Sequence, residues 1–250
     1  MATPHLVTIP FSHYCEKARW GLDRAGIRFR ESGHVPLLHA PASLRAGGNR
    51  QVPVLVTDEG VLSDSTDILK WADKRAPEAH LYGKTEGERR EIEELEDLFD
   101  VELGPHARRW VYFHVLPRRD LIVKLAEQGV PTAERLAWPI MLPVVRPLMR
   151  RAMRITAEGA KRSKERMERV FAEVGDRLSD GRRHLVGDGL TAADITFASL
   201  AAPMLSPPEY FTRLPGLDEM PEEAAAQMRT WRESPAGVFG LRIYREHRRA

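Results

Sequence analysis

The spacing of apolar residues changes several times in the first third of the chain. His5 to Pro10 is a short β-rich run ending at a proline. Phe11-Ser12-His13-Tyr14 follows, and Ala18, Leu22 and Ala25 then recur at the spacing of one helix face. A strand, a turn and a helix are predicted, with Gly26 as the helix stop. Ile27 to Glu31 alternates apolar and charged residues as a second strand does. Gly33 to Arg50 is rich in Pro, Gly, His and Ala and reads as a loop. Gln51 to Thr57 is an apolar strand with Pro53 near its head, Asp58-Glu59-Gly60 is a turn, Val61-Leu62 a brief returning strand, and Ser63 to Ala76 a helix. The order is βαβ and then ββα.

Strand signals stop at Pro77. Long charged and apolar segments with helical periodicity take over, among them Glu86 to Asp100 and Ser163 to Leu178. Pro, Gly and small polar residues gather between Pro77 and Thr85, so a linker is predicted there, separating an α/β domain at 1–80 from an all-α domain at 86–250. Thr191-x-x-Asp194 fits a capping box, with Leu190 and Ile195 placed for a hydrophobic staple, and is assigned to folding. Trp138 to Arg154 is apolar and then basic. Pro139, Pro143 and Pro147 argue against a continuous helix over its first half. Met141, Met149 and Met153 give it a flexible surface, and the segment can be a packed helix hairpin, the wall of a hydrophobic pocket facing Ser12, or a basic amphipathic element lying on a membrane surface or a partner.

Composition narrows the function classes. An apolar fraction of 42% with 30% charged residues is that of an ordinary folded chain, and a net charge of +2 gives no reason to expect nucleic acid as a partner. Cys15 is the single cysteine, which rules out an intrachain disulfide and a cysteine metal cage. No histidine pair has the spacing of a metal motif, so no metal is predicted. The N-terminus lacks the basic patch and long apolar core of a signal peptide, and a cytoplasmic location is expected.

Ser12-His13-Tyr14-Cys15 after the first strand, Val52-Pro53 before the third and Asp64-Ser65 at the start of the next helix come in the order found in glutathione transferases, which the first third of the chain resembles. Gly187-Asp188-Gly189-Leu190-Thr191-Ala192-Ala193-Asp194-Ile195 is similar to the buried helix start in the second domain of that family. Residues 104–160 have no counterpart in the resemblance.

The resemblance implies a thioredoxin-like N-terminal domain, an all-helical C-terminal domain, glutathione as co-substrate, a homodimer, and a detoxification reaction on a small electrophile or hydrophobic ligand. It further implies that Ser12 is the catalytic residue, donating a hydrogen bond to the glutathione sulfur. Ser12 stands at a strand-to-helix junction, where free amides and the helix dipole favour an anion; the bland alternative is a helix cap. Gln51, Val52 and Pro53, the last expected to be cis, would pair with the peptide-like ligand. Asp64 and Ser65 would hold its γ-glutamyl end, although the family more commonly has Glu-Ser there. Tyr14, Cys15 and His39 are additional candidates, with His39 near the glycyl carboxylate and Cys15 as the site of a mixed disulfide. Cys15 takes the second position of a Cys-x-x-Cys pair whose first position is Ser12, so a dithiol cycle is excluded. The alternative on the same architecture is a non-catalytic carrier of a large hydrophobic ligand.

Overall fold

The computed structural model describes residues 2–248. Four strands, β1 (His5–Thr8), β2 (Arg30–Gly33), β3 (Val54–Thr57) and β4 (Gly60–Leu62), form one sheet in the order β2-β1-β3-β4. β2 is parallel to β1, with Leu6 opposite Glu31, and therefore needs a crossover, which α1 (His13–Arg24) supplies. β3 and β4 are antiparallel and joined by the tight turn at Asp58-Glu59. The α/β half is thus the predicted thioredoxin-like unit, completed by α3 (Ser65–Arg75).

Two local expectations are corrected. The second strand begins at Arg30, whose N–H donates to the Pro4 carbonyl (2.8 Å), and not at Ile27. Ile27 and Phe29 pack against the core as the chain approaches the sheet, and that packing produced their alternation. The predicted loop from Gly33 to Arg50 contains a helix, α2 (His39–Arg45). Its Ala, Leu and Arg residues are good helix formers, and Pro41 falls in the first turn, where its missing N–H costs nothing.

Helices α4 (Glu86–Glu102), α5 (Gly104–Val115), α6 (Arg119–Ala126), α7 (Thr132–Ala152), α8 (Ala157–Arg177), α9 (Ala192–Leu205), α10 (Glu222–Glu233) and α11 (Pro235–His247) build the second half. α9 is apolar on all sides and almost wholly buried, as the central helix of such a layer must be. Its first turn is fixed by Asp194, whose carboxylate accepts from the N–H groups of Thr191 and Leu185, each at 2.8 Å. Leu190 and Ile195 are buried beside it.

α1 packs on α3 and, on its other flank, against α9. Being covered on both sides, it buries Glu16, Lys17 and Arg19, and each of them is paired. Glu16 meets Arg248 at 2.8 Å, Lys17 meets Glu96 at 3.0 Å, and Arg19 meets Glu31 at 2.6 Å.

Contrary to the sequence expectation, α7 is continuous through Pro139, Pro143 and Pro147. Spaced four apart, the prolines share one stripe that faces away from the buried Trp138, Leu142, Val145 and Met149. The acceptors they leave unserved are therefore turned toward water, and the Pro139 carbonyl also lies 3.5 Å from the Arg119 guanidinium. Leu136, Ile140, Val144 and Leu148 remain exposed on the same helix. Among the described residues no helix is long and apolar enough to cross a membrane.

Candidate active site

A cavity of about 570 Å³ opens along the seam of the two halves. From the α/β half it is lined by Ser12, Tyr14, His39, Arg50, Gln51, Val52, Pro53, Asp64 and Ser65, and from the helical half by Asp100 and by residues of α5, α7 and the segment after α9. All the sequence-derived site residues except Cys15 therefore meet at one surface.

Ser12 holds the N-cap position of α1, yet its side chain makes no capping hydrogen bond. Its backbone does the local work, with its N–H donating to Ile9 and its carbonyl accepting from Glu16, both at 2.9 Å. The hydroxyl is thus left at the mouth of the first turn, beside amides that have no helical partner. The cap reading of this serine loses its main support.

Cys15 is fully buried and is not among the residues lining the cavity. Burial pushes its thiol up to about 11, an effect that Arg19, the Ser12 hydroxyl and the Ile9 backbone only partly offset. Such a thiol holds little thiolate near neutrality and does not face the cavity.

Tyr14 lines the cavity, but its hydroxyl donates to the Asp100 carbonyl at 3.2 Å. Burial, with Asp100 adding to it, holds the phenol far above its ordinary pKa, so it stays protonated. His13 beside it is buried, its Nε2 sits 3.1 Å from the Gly104 carbonyl, and burial with the nearby Arg108 charge drives its pKa down to about 3. A neutral ring donates to that carbonyl. Both side chains depend on Gly104, where a Cβ would lie 2.2 Å from the Tyr14 hydroxyl. Gly104-Pro105 is also where α4 ends and α5 begins, because Pro105 brings no N–H to continue the helix.

At the other wall Asp64 caps α3, one carboxylate oxygen accepting from Thr66 N–H at 2.7 Å and Asp67 N–H at 3.4 Å. Ser65, buried in the first turn, has a hydroxyl without a partner among the described residues. The Val52–Pro53 bond is cis. The Gln51 carbonyl is held by Ser43 at 3.0 Å. His39 lies on the cavity with its pKa lowered by burial, against the opposing pull of the Arg50 and Val35 backbones, and is neutral near pH 7.

Sequence reading missed Asp100, Arg50 and Arg108. Asp100 accepts from Lys17 and Thr66, each at 2.9 Å, on one oxygen, while the other is buried without a partner. The available signal for Arg108 was its spacing: Pro105, Arg108, Val111 and Tyr112 form a single helix stripe, and that stripe lines the cavity.

Sheet, helical layer and seam cavity define a two-domain protein in which a thioredoxin-like half faces an all-helical one. Residues 6–80 match the family model "Glutathione S-transferase, N-terminal domain" and residues 137–222 match "Glutathione S-transferase, C-terminal domain". The chain belongs to the glutathione transferase family, and as such is an enzyme with glutathione as its co-substrate. Solved structures of similar fold include a glutathione S-transferase from Rhodospirillum rubrum (18% identity, 97% of this chain and 98% of that one, TM-score 0.59). A glutathione transferase from Populus trichocarpa aligns at 14% identity over 97% of this chain and 99% of that one, with a TM-score of 0.59. A glutathione S-transferase from Methylobacillus flagellatus, solved with GSH bound, aligns at 16% identity over 96% of this chain and 93% of that one, with a TM-score of 0.58. No curated protein matches the sequence.

Proposed function

We propose that this enzyme binds glutathione along the α/β wall of the cavity and activates its thiol through Ser12 for attack on an apolar electrophile held against the helical wall. The observation that carries the reading is the Ser12 hydroxyl, which lines the cavity at the N-terminus of α1 and is not spent on capping that helix. A thiolate there gains a hydrogen bond and the positive end of the helix dipole. Both favour the charged form, lower the thiol pKa and raise the fraction of nucleophile at neutral pH.

The remaining groups sort by charge. Asp64, with one carboxylate oxygen left unpaired, suits the γ-glutamyl ammonium, with the Asp100 charge behind it, and the Ser65 hydroxyl and first-turn amides of α3 suit its carboxylate. Arg50 and His39 stand where the glycyl end would reach, and Gln51 and Val52 offer backbone between the two ends. Leu148, Met149 and Met153 of the α7 region, with Leu214, supply the apolar surface for the acceptor. In the reaction the thiolate sulfur bonds to an electrophilic carbon, and the displaced pair either departs with that carbon's leaving group or, in an addition, moves from the π bond onto the atom at its far end, which then takes a proton from solvent. The protein is further proposed to act as a cytoplasmic homodimer in detoxification, a state that light scattering of the purified chain would check.

Calorimetric titration with reduced glutathione and with an S-alkyl glutathione tests the binding half. Saturable binding weakened by Ser65→Ala supports it, and no binding of either ligand by folded protein overturns it. Turnover by Ser12→Ala tests the chemical half. A loss of about 100-fold with glutathione affinity retained is expected, and unchanged turnover removes Ser12 from the mechanism.

A further inference from the structure

We propose that Arg108 anchors an anionic group on the electrophile, so that the acceptors this site serves best are apolar molecules carrying a carboxylate or a similar single negative charge. This rests on the reading of the cavity as a glutathione and acceptor site. Arg108 is the one cation on the α5 stripe formed with Pro105, Val111 and Tyr112, and that stripe faces the cavity. Its neighbour shows what a structural arginine looks like here: Arg109 donates to the Met153 carbonyl at 2.9 Å and to Ser163 at 3.0 Å. Arg108 makes no hydrogen bond or salt bridge among the described residues, although it is only partly exposed.

Neither of the two carboxylates on the same cavity pairs with Arg108. Asp100 takes Lys17 and Thr66, and Asp64 caps α3. The Arg108 charge is felt at His13, Tyr14 and Tyr112, which places it close to the first turn of α1, where Ser12 stands. Glutathione itself has no charge left to assign to it, because Arg50 and the α3 terminus take its two carboxylates. Arg108 shares the cavity lining with the apolar Leu148, Met149 and Val111, and its guanidinium can offer an incoming anion paired, charge-assisted hydrogen bonds.

A matched pair of electrophiles tests this, 4-chloro-3,5-dinitrobenzoate and its carboxamide. In both, the thiolate sulfur bonds to the ring carbon that carries chlorine, chloride leaves with the bonding pair, and the thiol proton passes to solvent. The wild type is expected to prefer the carboxylate in kcat/KM, and Arg108→Gln to lower the carboxylate-to-carboxamide ratio about 10- to 100-fold, chiefly through KM, with Arg108→Lys restoring part of it. A ratio that Arg108→Gln leaves unchanged overturns the proposal. So does a drop in glutathione affinity by calorimetry in that variant, which would assign Arg108 to the co-substrate.

The unreactive pair 3,5-dinitrobenzoate and 3,5-dinitrobenzamide, titrated calorimetrically without glutathione, separates the two readings. If wild type turns over neither electrophile yet binds the benzoate and loses it in Arg108→Gln, the anion site stands and the thiol reading fails. Equal binding of the benzoate by wild type and variant sinks the anion site whatever the turnover.

Discussion

Lys17 of α1 and Glu96 of α4 lie 3.0 Å apart across the seam of the two halves, and neither side chain has any exposed surface. Burial alone would lower the Lys17 pKa, but Glu96 and Asp100 outweigh it and hold the lysine charged. The pair is one link in a chain of contacts. Lys17 also reaches Asp100 and Thr66, and Glu96 accepts from Tyr82 at 2.5 Å and from Thr196 at 3.2 Å. The network therefore fixes Thr66, next to Ser65, and Asp100 on the cavity wall by holding both to the same ammonium.

Removing one member should leave the other as a buried, uncompensated charge. Lys17→Met is expected to cost about 3–5 kcal/mol in denaturant unfolding, and Lys17→Met with Glu96→Gln to recover a large part of it. Additive losses in the double-mutant cycle would show that the two side chains are not coupled.

Gly104→Ala tests how closely the helical half must approach α1. The new Cβ would meet the Tyr14 hydroxyl at 2.2 Å, inside any real contact, so Tyr14 must give up the Asp100 carbonyl or α5 must shift. Either movement also disturbs His13 on the Gly104 carbonyl. A loss of about 1–3 kcal/mol is expected, with a larger relative loss of turnover than of glutathione binding, because the displaced wall is on the acceptor side. Stability and kinetics within error of the wild type would show the seam to be looser than drawn.

The parts of the site that were legible in the sequence are those set by short-range geometry. Ser12, Val52-Pro53 and Asp64-Ser65 each sit at a strand or helix junction whose position the local pattern gives, and Asp194 bonds within its own turn and the strand of chain just before it. Lys17 and Glu96 look like ordinary exposed helix charges until α9 is known to cover α1. Arg108 and Arg109 are adjacent, chemically identical residues, and only the packing of α5 on α8 shows which is spent and which faces the cavity. The proline stripe of α7 was misread for a related reason. A proline's cost in a helix depends on whether its orphaned acceptor meets water or protein, which one-dimensional pattern does not state.

Acid should destabilise the fold through His13. In the folded chain its pKa is near 3, while in the unfolded chain it takes the ordinary value of about 6.5. Between those limits the unfolded state binds the extra proton, so stability rises with pH and is lost as pH falls below about 6.5. One such group contributes a slope of about 1.4 kcal/mol per pH unit in that window. His13→Asn, which keeps a donor for the Gly104 carbonyl, should flatten the dependence of unfolding free energy on pH between 6 and 4 by up to that slope. An unchanged slope would place the acid sensitivity elsewhere, with His106, lowered to about 4 by burial and by Arg109, as the next residue to substitute.

Cys15 separates packing from chemistry at the active-site turn. A thiol that is fully buried and pushed up to about 11 should be silent toward an aromatic disulfide reagent at pH 8 in the native protein and react at once after unfolding in denaturant. Cys15→Ala should then cost roughly 1–2 kcal/mol for the small void it leaves, with turnover largely kept, because Ser12 and not the thiol faces the cavity. Cys15→Ser is the sharper variant, since it buries a hydroxyl in the place of a weakly polar thiol and should destabilise as much or more while leaving the glutathione-binding wall in place. Rapid labelling of native protein, or a collapse of turnover in both variants at temperatures where each remains folded, would move the reactive group from Ser12 to Cys15 and replace thiol activation with a mixed-disulfide mechanism.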